Sequence, residues 1–150
     1  MKTMLIASDH AGFALKEKLK LCLEKKGFQI KDMGTYSQES CDYPLFAGKL
    51  AKCVSEGKHQ RGIMICKSGI GSSIVVNRFP EVRGALCYNV KAAKLSRQHN
   101  DSNVLVLGSA FVNVQIVKRI LNVWLNTEFQ GGRHKRRLNK IKKIETELGG

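Results

Sequence analysis

Short apolar runs alternate with amphipathic segments along most of the chain. A continuous run such as 62–66 is typical of a strand buried on both faces, whereas apolar residues at every third or fourth position indicate a helix with one buried face. The pattern predicts five strands, over 2–7, 28–33, 62–66, 82–87 and 103–107. The predicted helices begin near Phe13 and at 42–44, and lie around 74–77, 90–97, 112–125 and 134–148.

This alternation predicts an α/β fold, in which a five-stranded parallel sheet is covered by helices on both faces and a basic helix ends the chain. Ligands of such sheets bind beyond the carboxyl ends of the strands, where the connecting loops gather. That rule selects three candidate places: the loop at 8–10, the loop at 66–73 and the loop near Gly108. No repeat or linker interrupts the pattern, so residues 1–150 are expected to form a single domain.

The chain is strongly basic. Its 150 residues carry a formal net charge of +14, and seven basic residues between 133 and 143 occur with no acid among them. This charge favours an anionic partner, but nucleic acid, an anionic metabolite and a solvated helix face all remain open.

Two further features of composition narrow the class of protein. No apolar run is long enough to span a bilayer and the first residues lack the pattern of a signal peptide, so a cytoplasmic location is expected. The five cysteines are an odd number without a CxxC pair, which argues against a disulfide framework and against a structural zinc site. We expect no metal site.

The loop after the third strand combines a cysteine with small residues. Cys66 ends the strand, and Lys-Ser-Gly-Ile-Gly-Ser-Ser follows at 67–73. Glycine and serine let a backbone approach a ligand closely, and amides at a helix start favour negative charge. The spacing fits neither a dinucleotide fingerprint nor a P-loop. The thiol could act as a nucleophile or a general base, although a packed cysteine in a tight turn would show the same residues.

Two histidines and two arginines are the other candidates. We expect His10 and His99 to lie in loops at the carboxyl edge of the sheet, where imidazole could transfer protons near neutral pH. Arg133 and Arg137 are four residues apart, so a helix would place both on one face. Two converging guanidinium groups suit a phosphate dianion, whereas a solvated basic face is the alternative.

Several motifs taken together resemble the type B ribose-5-phosphate isomerases, whose relatives include bacterial galactose-6-phosphate isomerase subunits. The matching stretches run in family order across nearly the whole chain. They are Ser8-Asp9-His10-Ala11-Gly12, Asp42-Tyr43-Pro44, Cys66 with Gly69-Ile70-Gly71, the run from Leu95 to Leu105 that contains Ser-Arg-Gln-His-Asn-Asp, and Gly131-Gly132-Arg133-His134.

The resemblance implies a Rossmann-like αβα sandwich that forms a homodimer, or a dimer of dimers, with the active site at the subunit interface. It implies an aldose–ketose isomerase that needs no cofactor and passes through an enediolate. Cys66 would be the base, and His99 would assist opening of the furanose ring, reaching in from the partner subunit together with Asn100.

The resemblance also implies a set of substrate contacts. Backbone N–H groups of the loop would hold the enediolate oxygens, three side chains would grip the phosphate, and two would contact the sugar. The loop residues are Lys67, Ser68, Gly69, Ile70 and Gly71; the phosphate residues are His10, Arg133 and Arg137; the sugar residues are Asp9 and Tyr43.

Three positions depart from the family pattern. Lys67 replaces a glycine, Ser68 replaces a threonine, and Ala110 stands where many relatives have an arginine near the substrate. The preferred prediction is interconversion of ribose 5-phosphate and ribulose 5-phosphate. One alternative is a six-carbon substrate, galactose or allose 6-phosphate. The other is a noncatalytic module that binds anions or nucleic acid through the basic tail, although nucleic acid is the less expected partner.

Overall fold

Strands and helices alternate along the chain in the computed structural model, which describes residues 2–149. The strands are β1 (Thr3–Ser8), β2 (Gln29–Asp32), β3 (Gly62–Cys66), β4 (Gly84–Leu86) and β5 (Val104–Gly108). The helices are α1 (Phe13–Lys25), α2 (Tyr43–Ser55), α3 (Ile70–Val76), α4 (Val90–Asn100), α5 (Val114–Asn126) and α6 (Arg133–Glu147).

The strands form one parallel sheet in the order β2-β1-β3-β5-β4. The predicted five-stranded parallel sheet is therefore confirmed. The register pairs Ser8 with Ile65 and Cys66 with Gly108, so the carboxyl ends of the three central strands lie side by side. This edge of the sheet is called the carboxyl edge below, and the opposite edge is called the amino edge.

Each face of the sheet has its own apolar core, because successive side chains of a strand point to opposite faces. Ile63 and Ile65 pack with residues of α1, α4 and α5, including Trp124, whereas Met64 packs with residues of α2 and α3, including Leu50. Fully burying one such side chain contributes roughly 1.5–3 kcal/mol. Within residues 2–149, no helix combines the length and the apolar character that a membrane span requires.

The start of α3 and the end of α4 differ from the sequence prediction by three or more residues. α3 begins at Ile70 rather than near 74, because Gly69 adopts a left-handed conformation with φ +81° and turns the chain directly into the helix. α4 continues to Asn100 rather than ending at 97, and Asp101, with φ +46°, ends it. The hydrophobic pattern missed this last turn because its residues are polar.

Candidate active site

The loops that follow β1, β3 and β5 are joined by hydrogen bonds at the carboxyl edge. The Ser109 N–H donates to the Cys66 carbonyl at 2.9 Å, and the Ser109 hydroxyl donates to the Ala11 carbonyl at 3.1 Å. The Asp9 N–H donates to the Ile65 carbonyl at 3.2 Å. These bonds bring two of the predicted loops, 8–10 and 66–73, together beside the loop near Gly108.

Cys66 lies at the centre of this edge with 4% of its surface exposed. The backbone N–H of Gly69 donates a hydrogen bond to its sulfur at 3.2 Å. Gly69 must be glycine, both because its φ is +81° and because a β-carbon there would overlap Leu86 and lie 3.2 Å from the Leu107 backbone. The loop therefore folds back so that an amide points at the thiol.

The other loop residues have defined partners as well. The Ile70 N–H donates to the Ser68 hydroxyl at 3.1 Å, and the Tyr88 hydroxyl donates to the Ser68 carbonyl at 2.8 Å. Lys67 is exposed, and its carbonyl accepts a hydrogen bond from the Ala110 N–H at 2.9 Å. Ala110 therefore supports the loop through its backbone N–H, a contact that does not depend on the side chain at this position.

Tyr43 reaches the same loop from the start of α2. A β-carbon on Gly71 would overlap the Tyr43 ring, so the ring lies directly against the first turn of α3. Tyr43 is half-buried, with Pro44 following it in the first turn of α2. The structure thus brings Tyr43 close to the Cys66 loop, as the resemblance implies.

His10 and Asp9 are oriented by backbone amides. The Cys41 N–H donates to Nδ1 of His10 at 3.1 Å, and the Cys41 sulfur lies 3.8 Å from the same nitrogen. Because Nδ1 accepts, the neutral ring carries its hydrogen on Nε2 and can donate it to a ligand. The buried Asp9 carboxylate accepts a hydrogen bond from the Gly12 N–H at 3.0 Å.

A second group of predicted residues lies on α4 and α6. The rings of His99 and His134 stack with centroids 4.2 Å apart and an interplanar angle of 11°. Burial lowers the pKa of His134, and the charges of His99, Arg133 and Arg137 lower it further. Both arginines and Asn100 are exposed, while His99 is half-buried. This second group therefore presents its cationic side chains to solvent.

The predicted position of His99 was wrong. His99 lies in the last turn of α4, which runs back to the amino edge, rather than in a loop at the carboxyl edge. Four residues later, the Asn103 carbonyl accepts a hydrogen bond from the Gly62 N–H at the start of β3. Cys66 ends that strand, about 13 Å further along it. Within one chain, His99 and Cys66 thus belong to opposite edges of the sheet.

The sequence prediction missed three residues that contact or orient the candidate site residues. His134 could have been found, because it lies one helical turn from Leu138 on the inner face of α6. Tyr88 could also have been found, since it follows β4 at the carboxyl edge. Cys41 acts on His10 through its backbone N–H, which any residue except proline supplies, so no sequence signal marks it.

Comparison with known proteins gives one consistent result. The family model described as "Ribose/Galactose Isomerase" matches residues 4–141. Ribose-5-phosphate isomerase B of Escherichia coli (strain K12) is 41% identical over 145 residues, which cover 97% of this chain and 97% of that protein.

Solved structures agree in fold as well as in sequence. Ribose-5-phosphate isomerase B of Clostridium thermocellum superposes with a TM-score of 0.95 at 44% identity, covering 97% of this chain and 99% of that one. The Mycoplasma genitalium protein of the same name, solved with bound ribulose 5-phosphate, gives a TM-score of 0.93 at 39% identity, with 97% of each chain covered.

Proposed function

The chain belongs to the ribose/galactose isomerase family, and from that premise we propose that it interconverts ribose 5-phosphate and ribulose 5-phosphate. The family assignment makes it a sugar-phosphate isomerase, and it favours an enzyme over a noncatalytic anion-binding module. The observation that carries the proposal is the Cys66 thiol at the end of a central strand, 3.2 Å from the Gly69 amide.

Cys66 is the proposed base. Isomerisation moves a proton between two adjacent carbons, so one group must remove it from the carbon next to the carbonyl and return it to the neighbouring carbon. The thiolate accepts that proton, and the electron pair of the C–H bond passes into the enediolate. The Gly69 amide donates a hydrogen bond to this sulfur at 3.2 Å, which fixes the position of the sulfur in the loop.

Backbone amides of the same loop are the proposed donors to the enediolate oxygens. Two of the five amides are already engaged, since Gly69 donates to the Cys66 sulfur and Ile70 donates to the Ser68 hydroxyl. We assign the oxyanion role chiefly to the amides of Lys67, Ser68 and Gly71. Fixed donors of this kind stabilise charge that develops in the transition state without having to reorient.

The phosphate and the sugar are held by residues at the carboxyl edge together with residues of α6. His10 offers Nε2–H to a phosphate oxygen, because the Cys41 amide occupies Nδ1. Arg133 and Arg137, one helical turn apart and exposed on α6, suit the same dianion. Asp9 and Tyr43 are assigned to the sugar hydroxyls. Phosphate binding supplies remote binding energy that aligns the reacting carbon.

A second copy of the chain completes the proposed site. Cys66 and His99 belong to opposite edges of the sheet, so one subunit supplies the base while its partner supplies His99, Asn100 and the two arginines. Large apolar side chains around the carboxyl edge support a dimer interface there. More than half of each is exposed; they are Leu45, Ile70, Ile74 and Phe111.

The proposal is tested by following solvent exchange with a panel of substrates. The purified protein is incubated in deuterated water with ribose 5-phosphate and with the 6-phosphates of galactose and allose. Deuterium should enter the position next to the carbonyl fastest with ribose 5-phosphate. Faster exchange with a six-carbon substrate would support the alternative. Failure to convert any of the three to its ketose, with or without deuterium uptake, would contradict the isomerase proposal.

A further inference from the structure

A cavity of about 610 Å³ lies at the amino edge of the sheet, away from Cys66. It is bounded by the start of β1, the turn between α2 and β3, and the end of α5. None of the predicted active-site residues lines it. Its volume is in the range of small-molecule sites in proteins.

The lining of this cavity combines cationic and apolar side chains. Lys2, Lys58, His59 and Arg61 contribute nitrogen groups, and no aspartate or glutamate is among the lining residues. The apolar wall is formed by Met4, Phe28 and Leu125. Lys58 is paired at 2.8 Å with Glu56, an exposed residue outside the lining.

Arg61 is the most constrained of these cations. Its guanidinium lies over the Trp124 ring, 5.3 Å from the centroid, and donates to the Trp124 carbonyl at 3.5 Å. Among residues 2–149, no carboxylate forms an ion pair with it. Burial lowers the pKa of Arg61, the charge of Arg97 lowers it further, and Asp101 only partly offsets these effects. An anion bound here would supply the missing opposite charge.

From this geometry we infer that the amino-edge cavity binds a small organic phosphate, with its phosphate on Arg61 and Lys58 and its apolar or planar part against Phe28 and Leu125. Arg61 offers several donors in one plane, which suit phosphate oxygens. The apolar wall favours a ligand that carries a carbon body over inorganic phosphate alone. This site is separate from the proposed isomerase site and does not depend on that function.

The only tryptophan of the chain provides a direct readout, because Arg61 lies over its ring. We would titrate the protein with 5′-AMP and with inorganic phosphate, following tryptophan emission and, in parallel, heat by calorimetry. Sodium chloride at matched ionic strength controls for screening. The same titrations in Arg137→Ala separate this cavity from the phosphate contacts proposed for α6.

The expected result is a saturable emission change and saturable heat with 5′-AMP, tighter than with inorganic phosphate, and present in wild type and in Arg137→Ala alike. Arg61→Gln should weaken 5′-AMP binding about ten-fold or more, since a hydrogen bond to a charged group is lost. Lys58→Gln should weaken it less. Lys52→Gln is the matched control, because Lys52 pairs with the same Glu56 and does not line the cavity.

Several results would overturn the inference. One is the absence of saturable heat and of an emission change with either phosphate compound. Another is a response that chloride reproduces, or one that disappears in Arg137→Ala. If Arg61→Gln fails to fold, Lys58→Gln decides: equal 5′-AMP binding by Lys58→Gln, Lys52→Gln and wild type would also contradict the assigned site.

Discussion

The backbone N–H of Gly69 points at the Cys66 sulfur from 3.2 Å, across a loop of only two intervening residues. The left-handed conformation of Gly69, and the lack of room for a β-carbon between it and Leu86, fix this arrangement. A hydrogen-bond donor at this distance stabilises negative charge on sulfur. The loop conformation and the proposed base are thus parts of one structural feature.

Gly108→Ala tests how far activity depends on this loop. A β-carbon at Gly108 would overlap the Ser68 backbone, so the loop must shift. We expect kcat/KM for ribose 5-phosphate to fall about 100-fold, the typical effect of a misplaced reacting group. Gly48→Ala is the control, because its β-carbon would meet only the Phe79 ring at 4.0 Å. Wild-type activity in a folded Gly108→Ala protein would mean that the loop position is unimportant.

Arg137→Ala should weaken binding of phosphorylated sugars while leaving the weak binding of unphosphorylated sugars unchanged. Loss of a charge-assisted hydrogen bond to phosphate predicts a 10- to 100-fold rise in Kd, about 1.5–3 kcal/mol. Arg136→Ala, an exposed neighbour on a different side of α6, serves as the control. Equal losses for both kinds of sugar would point to a structural role for Arg137.

Mixing two inactive variants tests whether His99 acts across a subunit interface. Cys66→Ala and His99→Ala subunits, mixed equally with free exchange, should restore about a quarter of the wild-type sites, because half of the dimers are mixed and each mixed dimer has one intact site. Cys66→Ala mixed with the Cys66→Ala/His99→Ala double variant should stay inactive. A verified mixed dimer without activity would contradict the proposal that each active site is shared between two subunits.

The ion pair between Lys16 and Asp32 predicts a pH-dependent contribution to stability. Lys16 is fully buried, and its ammonium lies 2.6 Å from the Asp32 carboxylate. Burial alone would raise the pKa of Asp32, but hydrogen bonds from Lys16, Lys20 and the Gly34 amide outweigh it, so the pKa lies below its usual value. A lowered pKa in the folded state means that the carboxylate stabilises the protein above the unfolded pKa, about 3.9, and that this contribution disappears as the pH falls through the folded value.

Asp32→Asn should therefore lower the free energy of unfolding by about 3 kcal/mol at neutral pH, since it removes the carboxylate nearest to the buried Lys16 ammonium and leaves only Glu17, at 3.5 Å. The difference from wild type should begin to shrink as the pH falls below about 4, where Asp32 becomes protonated in the unfolded state. It should disappear once the pH has fallen through the lower folded-state pKa, because Asp32 is then protonated in both states. Denaturant unfolding of both proteins at a series of pH values measures this difference in the free energy of unfolding. Glu56→Gln, which removes an exposed carboxylate, should show little effect at any pH. A difference that stays constant down to the acid transition would contradict this account.

Sequence alone predicted the parallel sheet and the Cys66 loop, because buried strands and small-residue loops have direct signatures in residue type. It misplaced His99, since the polar last turn of α4 carries no hydrophobic signal that distinguishes it from a loop. It also missed the orientation of His10, which depends on the Cys41 backbone amide. Contacts made by backbone groups leave no trace in side-chain identity, and this limited the prediction of the site.

The central claim is that Cys66 transfers the proton, and one comparison tests it most directly. Wild type, Cys66→Ala and Cys87→Ala are incubated with ribose 5-phosphate in deuterated water, and deuterium next to the carbonyl is followed by NMR. Cys87 is a second buried cysteine at the carboxyl edge, where burial raises the pKa of its thiol to about 11, so its removal should leave exchange unchanged. The account predicts that folded Cys66→Ala loses exchange by about 100- to 10,000-fold. Exchange by folded Cys66→Ala within a few-fold of wild type would contradict it.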